Sequence, residues 1–185
     1  MRIISGEYKA RVIPVPRSFK ARPTTDTAKE SLFNILVNYF DFKQLRVLDL
    51  FSGTGSIAFE FASRGARQVT LVEINKRYAD FINQTIARLG FKQMQVIRSD
   101  AFRYIRNKPG IFDIIFADPP YDMQGIETLP EEIFTYRLLA AEGWLILEHG
   151  RDNDFSDHPC FWELRKYGSV HFSIFVSRES EEMGS

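Results

Sequence analysis

One cysteine, Cys160, stands among 185 residues. An internal disulfide is therefore excluded, and so is a zinc site built on cysteine. Histidine is nearly as scarce. His149, His158 and His171 show no ligand spacing, each reads as an ordinary core or surface residue, and no metal site is expected. Long apolar runs are missing as well: no window of about 18 uncharged apolar residues offers a membrane span. The opening MRIISGEYKARVIPVPR is basic, but charges cut its apolar residues into short pieces, unlike a signal or transit peptide. Net charge is absent too, with 24 basic residues against 24 acidic ones, which argues weakly against nucleic-acid binding by the chain as a whole. What remains fits a cytoplasmic enzyme or binding domain of bacterial type, with no membrane partner and a monomer as the simplest state.

The charge balance hides a local excess. Residues 1–22 carry Arg2, Lys9, Arg11, Arg17, Lys20 and Arg22 against Glu7 alone. Such a segment suits contact with a polyanion, although a solvated basic face has the same composition. The final SRESEEMGS is acidic and rich in small residues, and residues 178–185 are expected to be a disordered tail. The expected division is a basic extension over 1–22, one domain over 23–177, and that tail.

The periodicity predicts an α/β protein. RIIS-GEY-KARVIPV reads as a β-hairpin turning at Gly6. TTDTAKESLFNILVNYF reads as a helix capped by Thr25 or Asp26, with Leu32, Phe33, Leu36 and Phe40 on its apolar face. Strands over 46–51, 68–74, 94–100, 112–118 and 143–149 then alternate with helices, two of them closed by Gly65 and Gly90. FWELRKYG and SVHFSIFVS form a closing hairpin around Gly168. This pattern predicts a doubly wound, mostly parallel sheet with an antiparallel edge. In such folds ligands sit where the carboxyl ends of the strands meet a reversal of strand order. Four consecutive strand ends carry an acid there: Asp49, Glu73, Asp100 and Asp118.

The first strand runs into DLFSGTGSIA. Gly53, Gly55 and Ala58 satisfy the glycine-rich fingerprint, and Glu73 lies 20 residues beyond Gly53. A dinucleotide would bring its pyrophosphate to this loop, where Asp49 would repel it. S-adenosylmethionine has no phosphate and carries a cationic ammonium and sulfonium, so Asp49 favours it. Glu73 then suits the ribose hydroxyls, and Asp100 either accepts from the adenine amino group or caps the following helix.

Asp118, Pro119, Pro120 and Tyr121 end a buried strand as DPPY. Taken alone the turn is a chain breaker. Beside a methyl donor it acquires a chemistry. The lone pair of a nucleobase amino group is delocalised into the ring, and two acceptors are needed to hold its N–H bonds out of plane. Asp118 and the Pro119 carbonyl supply them. The prolines stiffen the turn without adding donors, and Tyr121 offers a face for an unstacked base.

VLDLFSGTGSIAFEFASRGA, VTLVEIN and DIIFADPPY resemble the class I amino-methyltransferases that use S-adenosylmethionine. MRIISGEYKARVIPVP and RPTTDTAKESLFNIL narrow the likeness to the RsmD family, from Met1 to about Val176. Members often carry arginine where this chain has Lys29, which retains the charge but not the planar fork. The resemblance implies a seven-stranded Rossmann-like fold with the cofactor at Asp49, Ser52, Gly53, Thr54, Gly55, Glu73, Ile74, Asp100 and Ala101. It implies that Asp118, Pro119, Pro120 and Tyr121 hold a guanine of 16S ribosomal RNA, free or within a small-subunit particle, for methylation at N2. It also implies RNA contacts from Lys9, Arg11, Arg17 and Arg22. The DPPY motif is shared with enzymes acting on adenine N6 in DNA or on glutamine N5 in protein, and a non-catalytic RNA-binding module on this fold is the remaining alternative.

Overall fold

The computed structural model describes residues 1–19, 24–107 and 109–178; Arg22 and the acidic tail from 179 onward lie outside them. Seven strands form one sheet: β1 (Arg46–Leu50), β2 (Gln68–Val72), β3 (Met94–Ile97), β4 (Phe112–Ala117), β5 (Leu139–His149), β6 (Phe161–Tyr167) and β7 (Val170–Val176). Five helices accompany them: α1 (Asp26–Leu36), α2 (Ser56–Ser63), α3 (Lys76–Leu89), α4 (Ala101–Arg106) and α5 (Leu129–Thr135). The strand order is β3-β2-β1-β4-β5-β7-β6. Strands β1 to β5 pair in parallel, and β7 runs antiparallel between β5 and β6. The chain winds outward from β1 to β3, then returns to β4 on the other side of β1. That reversal opens a crevice at the carboxyl ends of β1 and β4.

Both faces of the sheet are covered, and alternation along the strands decides which side chain goes where. Val47, Ile114, Phe116 and Ile146 join Leu32, Phe33 and Ile82 of α1 and α3 in one core. Leu48, Leu50, Ile115, Ala117 and Leu147 join Ile105 and Ile133 of α4 and α5 in the other. A buried strand thus reads as a continuous apolar run. Helix α3 shows the opposite pattern. Only Ala79, Ile82, Thr85 and Leu89 are buried, one stripe on an otherwise polar helix. Asn75 caps its start by accepting from the Arg77 amide at 2.9 Å, and Gly90 ends it at φ +76°.

The N-terminal hairpin is shorter than the sequence suggests. Residues 1–13 do double back, with Ile3 N donating to Arg11 O and Ala10 N to Ile3 O, each at 2.9 Å. Only Arg2 and Val12 form a bridge, however, and neither arm is a strand. The reason lies in what the segment packs on. The amides of Ile4 and Ser5 donate to Glu60 of α2 at 2.8 and 3.0 Å instead of extending a ladder. Gly6 lies so close to α2 that a Cβ there would fall 1.9 Å from the Ser63 carbonyl oxygen. All eight residues of α2 are consequently buried, because this segment covers the face that would otherwise meet solvent.

Strand β5 starts earlier than expected. Leu139 pairs with Phe112, and the register then shifts until Trp144 pairs with Ile114. That irregular stretch, with Glu142 at φ +58°, hides the strand's first residues from a reading based on alternation.

Candidate functional site

Strand β1 leaves the sheet through Phe51 at φ +60°, a conformation uncommon outside glycine and concentrated at functional sites. The turn continues through Gly53 at φ +53° and Gly55 at φ +77°, and α2 begins at Ser56. A Cβ on Gly55 would lie 3.1 Å from the Phe59 ring and 3.3 Å from Leu71, so glycine serves both the turn and its packing. Ser52 ties the loop down, its hydroxyl reaching the carbonyls of Asp49 at 2.7 Å and Val72 at 3.2 Å. Glu73, just past the end of β2, braces it from the other side. One carboxylate oxygen accepts from Gly53 N at 2.8 Å, the other from Asn75 N at 2.7 Å. Burial pushes the Glu73 carboxyl above its usual range, and these backbone donors act against that rise.

A cavity of about 970 Å³ opens over this loop, a size suited to a cofactor together with part of a second molecule. Asp49, Ser52, Gly53, Thr54, Glu73, Ile74, Asp100 and Ala101 all line it, as do Asp118, Pro119, Pro120 and Tyr121. Gly55 is not among the lining residues. Apart from Gly55, the residues assigned from sequence to the cofactor and the acceptor thus border one space. Asp100 sits at the end of the loop after β3 and caps α4, accepting from Arg103 N at 2.9 Å. Ile74 is 64% exposed, an apolar side chain open to whatever enters. Tyr121, also largely exposed, lies over Gly150.

Three carboxyls, Asp49, Asp118 and Glu148, share one face of adjacent strands. Asp49 is 2% exposed, and its Oδ2 has no hydrogen-bond partner. Burial drives its carboxyl far above the usual range; the Ala58 amide lowers it somewhat and Glu73 raises it further. An orphaned buried acceptor against a cavity fits a ligand that brings a cation or an N–H donor. Ala117 of β4 pairs with Leu147 of β5, which puts Asp118 and Glu148 side by side at the next step. Burial raises Asp118 strongly, and the neighbouring charges of Glu148 and Asp49 add to it. Burial likewise pushes Glu148 up to about 7, against the hydroxyl of Thr24, which donates to Glu148 Oε2 at 3.0 Å. With the glycine loop, this set of acceptors fits S-adenosylmethionine, whose ammonium, sulfonium and ribose hydroxyls all seek electron-rich oxygens.

Sequence reasoning overlooked Glu148, Thr24, Tyr78 and Arg151, which also line the cavity. Glu148 had a signal: LILEH ends an apolar strand with an acid, just as VLDL and IIFAD do. Thr24 and Tyr78 had none, because only the path of the segment before α1 and the packing of α3 bring them to the rim.

Among the described residues, the basic side chains assigned from sequence to RNA do not line the cavity. Lys9 and Arg11 are exposed, on a turn whose Glu7 and Tyr8 amides donate to the carbonyl and hydroxyl of Ser63, at the far end of α2. The cavity opens at the Ser56 end, about 12 Å away along an eight-residue helix. Arg17 lies nearer. The neighbouring Phe19 packs edge-on against Tyr78 at 4.4 Å between ring centres, and Ser18 accepts from Arg77 of α3 at 2.9 Å. Lys29 is 1% exposed and donates to Arg2 O at 2.6 Å and Ser56 Oγ at 3.2 Å. It is a tie between the extension, α1 and α2, and its ammonium does not face the cavity's contents.

Nearly the whole chain matches a known family. The family model described as Conserved hypothetical protein 95 covers residues 1–176. Ribosomal RNA small subunit methyltransferase D of Escherichia coli strain K12 is 32% identical, over 98% of this chain and 91% of that protein. The solved structure of the Escherichia coli protein yhhF superposes with a TM-score of 0.86 at 27% identity, over 97% of this chain and 99% of that one. A SAM-dependent methyltransferase of Agrobacterium tumefaciens shares the fold at a TM-score of 0.62 and 20% identity, over 82% of this chain and 61% of that one. The match along both the N-terminal segment and the strand ends that build the cavity makes the chain a member of the RsmD family.

Proposed function

We propose that the protein transfers a methyl group from S-adenosylmethionine to the exocyclic N2 amino group of a guanine in 16S ribosomal RNA. One observation carries the reading: the glycine loop braced by Glu73 and the DPPY turn open into the same cavity at the reversal of strand order. The small-subunit relative supports an RNA substrate of that class.

When bound, the cofactor supplies a methyl group activated by a sulfonium centre. The chain's residues do the rest. Asp49 faces the cofactor's cationic end with its unpartnered oxygen, and Glu73 keeps lone pairs for the ribose hydroxyls beyond those used by Gly53 and Asn75. Tyr121 stacks on the unpaired base. Asp118 and the Pro119 carbonyl accept the two N2–H bonds and so turn the nitrogen lone pair toward the activated carbon. Positive charge then grows on N2 next to Asp118, which stabilises it electrostatically. The surplus N2 proton passes to Asp118 or to solvent, which restores the neutral amine.

Incubating labelled S-adenosylmethionine with small ribosomal subunits, naked 16S RNA, DNA and a release factor tests this reading. The label is expected in N2-methylguanosine from small-subunit RNA. Label in N6-methyladenine or methylglutamine would replace it with a rival of the same fold, and no label anywhere would favour a binding module.

A further inference from the structure

Glu148 closes the cavity on the side away from the glycine loop. It is 3% exposed, and among the described residues its only hydrogen bond is the one that Thr24 donates to Oε2. Another acid, Asp118, stands beside it at the end of the neighbouring strand. A buried acid with a like neighbour and, among the described residues, no cationic partner is costly, and such costs cluster where a ligand offsets them. Among the described residues Oε1 makes no hydrogen bond, which suits it to receive that ligand. What it requires is a donor adjacent to the amine that Asp118 holds.

Base edges differ in this respect. In adenine and cytosine the amine sits beside a ring nitrogen that is an acceptor. In guanine the amine sits beside N1–H, so two neighbouring positions both donate. Two carboxyls at the ends of paired strands present the complementary pattern. We propose that Glu148 reads the N1–H of the target guanine and thereby sets the site's preference for guanine over bases whose ring nitrogen beside the amine is unprotonated. This rests on the guanine reading above and deepens it.

Protonation gives the assignment a further consequence. Ionised Glu148 accepts from N1–H, whereas protonated Glu148 would donate to a bare ring nitrogen. Guanine therefore binds with loss of any proton that Glu148 holds. Replacement by glutamine keeps the shape and the Thr24 contact but offers an N–H where the ionised acid offered a lone pair.

The test uses an RNA that the full-length protein methylates, made with either guanine or 2-aminopurine at the target position. 2-Aminopurine keeps the exocyclic amine but has an acceptor at N1. The ratio of kcat/KM for the two bases is measured for wild type and for Glu148→Gln, which cancels the difference in intrinsic amine reactivity. Wild type is expected to favour guanine by about a hundredfold or more, and the variant to lose at least about tenfold of that preference, with S-adenosylmethionine affinity unchanged. An unchanged ratio in a variant that binds the cofactor normally would overturn the assignment. Should the variant fail to fold, the wild-type ratio alone decides: it is expected to rise from pH 6 to pH 8, and a flat profile would overturn the proposal. Wild-type protein that makes a methylated base other than N2-methylguanosine would instead overturn the functional reading, and this one with it.

Discussion

Asp118 and Glu148 stand one step beyond the paired residues Ala117 and Leu147, at the ends of neighbouring parallel strands. Burial raises both carboxyls, Glu148 to about 7, and each opposes ionisation of the other. The folded state then holds protons that the unfolded chain releases above about pH 4.5. Stability is fully present below that pH and falls as pH rises toward 7, by at most roughly 3 kcal/mol for Glu148 alone. Denaturant midpoints measured between pH 5 and pH 8 are expected to decline, and Glu148→Gln is expected to flatten the decline and to be the more stable protein at pH 8. A wild-type midpoint that holds constant over this range would show that the pair is better solvated than its burial implies.

Asp118 is expected to matter for chemistry and little for the cofactor. On the proposed function, Asp118→Ala removes an acceptor that aligns the target amine, and kcat should fall by about a hundredfold or more. The cofactor's affinity, read by calorimetry, should stay within about threefold, because the glycine loop, Glu73 and Asp49 are untouched. Lost cofactor binding would mean that Asp118 belongs to the donor's side of the cavity.

The acids at the strand ends were legible because the sheet is parallel. An apolar run that stops at an acid, repeated along the chain, marks one rim whatever the details of packing. The glycine loop was legible for a related reason, since its conformation demands glycine at Gly53 and Gly55. The role of Lys29 was not legible. Its ammonium is consumed by Arg2 O and Ser56 Oγ, an arrangement created only when the N-terminal segment folds over α2. The complete burial of α2 was hidden for the same reason. Glu60 looks like the polar face of a helix until the amides of Ile4 and Ser5 arrive to use it.

That use of Glu60 makes it a structural hinge pin of the extension. Its carboxylate is fully buried, accepts two backbone amides, and pairs with Arg64 at 2.8 Å. Glu60→Ala strands those donors in the interior and is expected to cost about 3–5 kcal/mol. The N-terminal segment should detach first, so limited proteolysis is expected to clip the variant within residues 1–19 before the sheet domain is cut. A variant that loses stability but resists clipping there would show that the segment is held mainly by Ile3, Tyr8 and Ile13.

The same segment bears on how RNA is held. Lys9 and Arg11 lie at the far end of α2 from the cavity, whereas Arg17 lies by the loop that packs on Tyr78. If both groups contact phosphates, they touch different parts of the substrate. Neutralising Lys9 and Arg11 should weaken RNA binding and reduce the slope of log affinity against log salt by about 0.7–0.9 per lost contact, with kcat at saturation unchanged. Arg17→Ala should reduce the slope similarly and also lower kcat, if on the proposed function a phosphate held there positions the flipped base. An unaltered slope in either variant would assign those side chains to ordinary solvated surface. A loss of kcat from the Lys9 and Arg11 pair, with none from Arg17, would reverse the order in which the RNA runs across the molecule.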